Sequence, residues 1–307
     1  GLDNLTNTCY ANALLNALAR IPPVRSWLDS HQRRVARDPT HAATCMLCAL
    51  ARDVAALCTL PTNTPFAPRA VRNRASWDAQ RTFDNRQQHD ASEAFQALLT
   101  SSDACDLHDF LGLGLLEVIT PHTPEQFTTP YWHIFGSLGQ ETTSCARCPR
   151  RSQGPVKQTT FSLSVPLEGR YTVERLFADA LGNEQIHGAC PYCHCIDSRT
   201  KTTELVNRPR VLVLHLKRWD FIRARGRAEK IDTPVSFETL FPLDATTTYE
   251  LCSVVVHHGS VGGGHYTAFV RAADLRWYHC DDARTPRSCS VDEGVSAQAY
   301  MLFYQRL

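Results

Sequence analysis

The 307-residue sequence predicts an α+β fold in which a helical lobe packs against a sheet lobe. Three observations carry that prediction. Apolar residues recur at helical spacing through the first third of the chain. From about residue 130, runs rich in Val, Thr, Phe and Tyr take over. No repeat, low-complexity stretch or long Pro/Gly linker separates the two regions, so residues 1–307 read as one domain.

Taken in chain order, turn-forming residues at 1–8 lead into Cys9, after which Ala11, Leu14, Leu15 and Leu18 follow i, i+3, i+4, i+7 spacing. Pro22 and Pro23 are read as stopping that helix. Further helices are expected at about 40–60 and 88–100. The run at 211–216, Val-Leu-Val-Leu-His-Leu, reads as a buried strand, and 251–256, 265–271, 276–280 and 299–304 read the same way.

Composition excludes several functions. With 43% hydrophobic residues there is ample material for a core. A formal charge of +1, from 32 basic against 31 acidic residues, gives no net basic field for a nucleic-acid or membrane-surface binder. No apolar stretch is long enough to span a bilayer, and no signal-peptide pattern opens the chain, whose first residue is Gly1. Thirteen cysteines, an odd number with several C-x-x-C pairs, point to thiol or metal chemistry in a reducing compartment rather than to a disulfide scaffold. The expected location is therefore intracellular, cytoplasmic or nuclear.

Cys9 falls at a helix N-terminus, where the helix dipole and unpaired backbone N–H groups favour a thiolate. Asn4, in the polar turn before it, could offer a side-chain amide to a developing oxyanion. A base is supplied by Gly-Gly-Gly-His265, three glycines opening a strand that delivers an imidazole to the mouth of a cleft. A hairpin turning near 272–275 sets Asp281 or Asp282 across from His265, and geometry leaves both open. A carboxylate there would orient the imidazole and stabilise the imidazolium. The order Cys, His, Asp matches papain-like proteases, but His265 comes 256 residues after Cys9, which requires an insertion of about a hundred residues over the papain spacing.

That insertion carries Cys145-Ala-Arg-Cys148 and Cys190-Pro-Tyr-Cys193, the pattern of a structural zinc site with four thiolates. Cys195 and His194 sit close enough in sequence to blur the ligand set. A third pair, Cys45-Met-Leu-Cys48, lies in an apolar helical run; it reads as core packing, although His41 could complete a partial metal set.

Taken together, these segments resemble the ubiquitin-specific protease family. Residues 1–16 resemble its cysteine box; Gly264-His265-Tyr266 with Trp277-Tyr-His-Cys-Asp281-Asp282 resembles its histidine box. Gln88-His-Asp90-Ala-Ser-Glu93 resembles its Q-Q-D-A-x-E-F segment, and the run from Arg208 to Trp219 resembles its P-x-x-L-x-L-x-L-K-R-F strand. The resemblance implies a papain-like cysteine protease fold: a helical thumb (about 1–110), a β-sheet palm (111–134 and 206–307) and a zinc-bearing β fingers insertion (135–205). It implies Cys9 as nucleophile, Asn4 as oxyanion donor, His265 as general base and Asp281 as orienting acid, with Asp282 auxiliary. Gln88, Asp90, Glu93, Gly263, Gly264 and Tyr266 would line a channel for the C-terminal tail of ubiquitin. One structural zinc on Cys145, Cys148, Cys190 and Cys193, no catalytic cofactor, and a monomeric domain acting on ubiquitin and ubiquitinated proteins complete the expectation. Thr6 departs from the family's Gly, Ala94 from its Phe, and Cys280 from its aromatic residue. Two alternatives stay open on sequence alone: a protease for another Gly-Gly-ending modifier, and a catalytically silent ubiquitin-binding module.

Overall fold

The computed structural model describes residues 1–36, 41, 45–59, 64–74, 77, 81–84, 86–112, 129–222, 226–260, 262–293 and 298–307. Seven helices among them are α1 (Cys9–Leu18), α2 (Pro22–Val35), α3 (Met46–Thr59), α4 (Arg69–Arg72), α5 (Ala91–Gly112), α6 (Pro130–Phe135) and α7 (Val173–Leu181). The strands are β1 (Ser137–Cys145), β2 (Arg151–Gln158), β3 (Phe161–Ser164), β4 (Tyr171–Thr172), β5 (Glu184–Ile186), β6 (Arg199–Leu205), β7 (Val211–Lys217) and β8 (Trp219–Ile222). They continue with β9 (Arg227–Lys230), β10 (Val235–Ser236), β11 (Leu240–Asp244), β12 (Thr247–Ser260), β13 (Gly263–Arg271), β14 (Trp277–Cys280), β15 (Arg287–Cys289) and β16 (Ala299–Arg306).

The main sheet runs β15-β14-β13-β12-β16-β7-β3, with β11 paired to β12. Both of its faces are covered, which explains why β7 and β16 are nearly uninterrupted apolar runs instead of alternating ones. Val211, Val213, Met301 and Phe303 point into a core shared with α1, α3 and α5. Leu212, Leu214, Leu302 and Tyr304 point into a second core closed by Val173, Leu176 and Phe177 of α7. At roughly 1.5–3 kcal/mol for each large apolar side chain taken out of water, these two layers dominate the stability of the main sheet. Helix α1 is buried at every position, because it is wedged between the other helices and the sheet.

The structure extends one sequence expectation and overturns another. Pro22 and Pro23 do not merely end α1: Pro22 is the first residue of α2, where a fixed φ and a missing N–H suit the first turn of a helix. The β13–β14 ladder pairs Ala268 with Cys280 and Arg271 with Trp277, which would set Ala283, not Asp281 or Asp282, across from His265. A wider turn, with Ala272 N–H donating to the Arg276 carbonyl at 2.9 Å, displaces the register.

The remaining four-stranded sheet, β2-β1-β6-β5, reaches away from the cores. Strand β2 is exposed or half-buried throughout and β1 is fully buried only near its start, so little apolar packing holds the far end of this sheet.

Candidate active site

The segment before α1 is fastened at both sides by backbone bonds. Leu2 N–H donates to the Asp282 carbonyl at 2.7 Å, Asp3 N–H to the Phe66 carbonyl at 2.9 Å, and Phe66 N–H to the Gly1 carbonyl at 3.2 Å. Within it, Asn4 Oδ1 accepts from Thr8 N–H at 3.0 Å, and Thr8 Oγ1 accepts from Leu5 N–H at 2.9 Å. Thr6 and Asn7 both have left-handed backbones, φ 74° and 55°, which turns the chain into α1. Asn tolerates that region; a β-branched Thr does not, so the residue that departs from the family's Gly sits where Gly costs least. Cys9 is the first residue of α1 and is 2% exposed.

His265 enters from the start of β13, paired with His258 of β12 on one side. Its Nε2 lies 2.6 Å from Asp281 Oδ1, and Arg284 Nη1 donates to Asp281 Oδ2 at 2.7 Å. The hydrogen bond with Cys9 is the largest influence on the imidazole. Together with Asp281 it pushes the His265 pKa up to about 9, against the opposing effect of partial burial. Cys9 and Asp281 thus both act on His265, Asp281 through a hydrogen bond of 2.6 Å and Cys9 by raising the imidazole pKa. Asp281 reaches the imidazole from just beyond the end of β14, not as a cross-strand partner.

Asp282 takes a different place. Its Oδ2 accepts from Asn4 Nδ2 and its Oδ1 from Asn12 Nδ2, both at 2.8 Å, while its backbone has φ 43°. One carboxylate therefore ties the turn carrying Asn4 to helix α1. Asn12 was not singled out from sequence; buried at 0% exposure in an apolar helix, it is a polar residue that burial alone should have disfavoured.

Gln88, Asp90, Glu93, Gly263 and Tyr266 line one cleft of about 360 Å³, with His89, Trp219 and His257 beside them. Gln88 clamps the strand that bears His265: its Nε2 donates to the Gly264 carbonyl at 2.7 Å and its Oε1 accepts from Gly264 N–H at 2.8 Å. Gly264 itself is required from behind, since a Cβ there would stand 2.3 Å from the His258 carbonyl oxygen and 2.4 Å from His257 Nε2, whereas Gly263 has room. Asp90 is less open than an acidic channel wall would be. Its Oδ1 accepts from Ser92 N–H at 2.8 Å and Glu93 N–H at 3.1 Å, capping α5, and its Oδ2 accepts from the hydroxyls of Tyr266 and Tyr300. Glu93 remains exposed, its carboxyl held above the usual range by desolvation and by Asp90.

At the far end of the β2-β1-β6-β5 sheet, the four predicted cysteines converge. Cys145 Sγ is 3.7 Å from Cys193 Sγ, and Cys148 Sγ is 4.0 Å from Cys190 Sγ. Four sulfurs held about 2.3 Å from one zinc stand about 3.8 Å apart in a tetrahedron, so the set fits that ion. Cys195 is sorted out of the cluster: it contributes a backbone carbonyl to Cys190 N–H at 2.9 Å.

The family model described as ubiquitin carboxyl-terminal hydrolase matches residues 1–304. The chain belongs to that family. A mouse relative, ubiquitin carboxyl-terminal hydrolase 17-like protein D, is 28% identical over 319 residues, covering 99% of this chain and 54% of that protein. Human ubiquitin carboxyl-terminal hydrolase 17 is 26% identical over 317 residues, with 99% and 55% covered. The chain thus spans little more than half the length of these relatives. Among solved structures, the SAGA Ubp8/Sgf11/Sus1/Sgf73 DUB module bound to ubiquitin aldehyde aligns over all of this chain and 69% of the matched chain. Its TM-score is 0.78 at 23% identity. A yeast SAGA DUB module aligns with a TM-score of 0.79 at 22% identity, over 100% and 68%. The expected fold, a papain-like arrangement of helical lobe, sheet and four-cysteine extension, is the fold of this ubiquitin carboxyl-terminal hydrolase family member.

Proposed function

We propose that this chain is a thiol-dependent deubiquitinase that hydrolyses the peptide or isopeptide bond after the C-terminal glycine of ubiquitin. The observation that carries the reading is that Cys9 and Asp281 both act on His265, which follows directly on the cleft residue Gly263 and on Gly264 in β13. With Nε2 held by Asp281, Nδ1 is the nitrogen left to serve Cys9, and a protonated imidazole acting on the sulfur is the charge a thiolate nucleophile needs.

Cys9 Sγ attacks the glycine carbonyl, forming the C–S bond as the oxyanion develops. Asn4 Nδ2 has one N–H on Asp282 and a second to give to that oxyanion, alongside backbone N–H groups at the start of α1. His265 passes its proton to the departing lysine amine as the C–N bond breaks. It then takes a proton from water as the hydroxide attacks the thioester, returning free ubiquitin and the thiolate. Asp281 keeps the imidazole aligned throughout. A narrow cleft with Gly263 on its wall suits an extended tail ending in two glycines, and Glu93 suits a basic residue within that tail.

One zinc on Cys145, Cys148, Cys190 and Cys193 would close the extended sheet, a structural part with no open ligand position. The catalytic unit is proposed to act as a monomer, which light scattering tests. Its many free thiols suit a reducing intracellular compartment.

Purified protein should release the fluorophore from a ubiquitin C-terminal amide and form an adduct with a ubiquitin-derived electrophile at Cys9, and Cys9→Ala should abolish both. Labelling by a probe built on another Gly-Gly-ending modifier, with none by the ubiquitin probe, would reassign the substrate. Binding of ubiquitin without turnover or labelling would make the chain a silent binding module.

A further inference from the structure

A second group of metal-ligating side chains lies in the helical lobe, apart from the four-cysteine cluster. His31 comes from α2, Cys48 from α3, and His41 and Cys45 from the stretch just before α3. Cys45 N–H donates to the His41 carbonyl at 2.9 Å and Ala49 N–H to the Cys45 carbonyl at 3.2 Å. His41, Cys45 and Cys48 therefore stand at i, i+4 and i+7 of one helical turn pattern, on one face, opposite His31. One ligand atom from each of the four lies within 4.8 Å of all the others. His31 is 0% exposed, Cys45 6% and Cys48 3%.

We propose that His31, His41, Cys45 and Cys48 bind a second structural zinc ion, of Cys2His2 type, that staples α2 to α3. Both sulfurs converge on a single nitrogen: Cys45 Sγ is 3.4 Å and Cys48 Sγ 3.3 Å from His31 Nε2. In a tetrahedral zinc site with Zn–S of about 2.3 Å and Zn–N of about 2.0 Å, a sulfur and a nitrogen stand about 3.5 Å apart, which is the spacing seen. Hydrogen bonding alone explains the convergence poorly. Nε2 offers either one lone pair or one N–H, and two thiols would have to share it.

The two imidazoles stand 5.5 Å apart between ring centroids, close enough for one nitrogen of each to meet a common ion. Binding would release the two thiol protons and leave two thiolates and two neutral imidazoles, a soft donor set that selects zinc over magnesium or calcium. The ion would have a structural task. The chain from α2 to α3 carries His41 and Cys45, while the body of α3 supplies Asp53, whose carboxylate accepts from Arg69 N–H at 2.8 Å and Ala70 N–H at 2.7 Å. Fixing α3 thus fixes α4 and the neighbouring Phe66 that fastens Leu2 and Asp3 ahead of Cys9.

The test is metal content of untagged protein purified without chelator, measured by plasma mass spectrometry together with native mass spectrometry. Two zinc ions per chain are expected, falling to one in Cys45→Ser/Cys48→Ser and to one in Cys190→Ser/Cys193→Ser. One zinc in the wild type that disappears with Cys190→Ser/Cys193→Ser, or two retained in Cys45→Ser/Cys48→Ser, would overturn the proposal. If the Cys45/Cys48 variant does not fold, crystals of the wild type measured at the zinc edge decide. An anomalous peak among His31, His41, Cys45 and Cys48 supports the staple, and a peak confined to the Cys145 cluster refutes it. Because the two sites are read separately, failure here is distinguishable from failure of the zinc proposed at the extended sheet.

Discussion

Asp281 and Asp282 are neighbours in sequence and do different work, which Asp282→Asn isolates. Asparagine keeps the side-chain shape and tolerates the left-handed backbone at φ 43°, so the substitution carries little conformational cost. What changes is the pair of hydrogen bonds from Asn4 and Asn12, each 2.8 Å long to one carboxylate oxygen. Only one acceptor oxygen survives, and the new NH2 faces a side-chain amide that is itself a donor. A hydrogen bond to a charged acceptor contributes about 1.5–3 kcal/mol and a neutral one about 1 kcal/mol. For a half-exposed site the net loss is about 2 kcal/mol, which at 1.36 kcal/mol per decade is roughly 30-fold in rate. With Asn4 in its proposed role at the oxyanion and not on the bound tail, the loss should appear in kcat with KM nearly unchanged.

The assay is steady-state hydrolysis of a ubiquitin C-terminal fluorogenic amide across pH, with Asp281→Asn measured in parallel. In the wild type, activity should fall as pH rises through about 9, where the His265 imidazolium loses its proton. A raised histidine pKa also means that the stability drawn from this ion pair is complete below the ordinary value of 6.5 and is lost as pH rises towards 9. Asp281→Asn should move the alkaline limb to lower pH, because it removes a group that raises the imidazole; Asp282→Asn should leave the limb in place. Wild-type kcat in Asp282→Asn, or the same limb shift in both variants, would refute the division of labour.

Three further outcomes follow from the same geometry. Gly264→Ala places a Cβ 2.3 Å from the His258 carbonyl oxygen, so the β12–β13 ladder must shift; overpacking of this kind costs about 1–3 kcal/mol and should lower both the melting temperature and kcat/KM. Thr6→Gly should relieve a left-handed β-branched residue, raising stability by up to about 1 kcal/mol in denaturant melts after the entropic cost of glycine is subtracted. Chelation of zinc should expose the amides of β1, β2, β5 and β6 to hydrogen exchange before those of β12 and β16, because the former sheet has little apolar packing at its far end.

The sequence showed most where burial writes a long pattern. Helix α1 and strands β7, β12, β13 and β16 announce themselves because both sides of α1 and both faces of the sheet are covered, and so did the four cysteines, whose spacing alone carries the signal. Less was legible where a short-range detail sets a long-range result. The choice between Asp281 and Asp282 hung on the turn closed between Ala272 and Arg276, where Leu275 adopts φ 65°. Pro22-Pro23 reads equally as a stop and as a first turn. Asp90 looked like a channel wall because its role as a cap depends on α5 starting at Ala91, a boundary that pattern does not fix. His31 gave no signal at all: a lone histidine on a helix becomes informative only once packing sets it against two thiols from the next helix.

The two halves of the reacting group inherit their positions from different elements, since Cys9 rides on a helix buried in the helical lobe and His265 on a strand of the sheet. Polar fastenings add to the apolar contact between them, among them Gln88 to Gly264, Asn4 and Asn12 to Asp282, and Leu2 to the Asp282 carbonyl. Each contributes about 1 kcal/mol, and the carboxylate bonds somewhat more. The seam beneath them is itself apolar, since α1 shares one core with Val255, Tyr266, Ala268 and Val270 of β12 and β13. That core sets sulfur and imidazole on facing elements, and the polar bonds at its rim, a few kcal/mol in all, align them. A ligand filling the cleft touches Gln88 and Glu93 as well as Gly263 and Tyr266 of β13, so its contacts add to the bonds that align the two elements. Binding energy from a part of the substrate that never reacts is thereby spent on holding the reacting atoms together, which is the condition for remote contacts to raise kcat instead of only lowering KM.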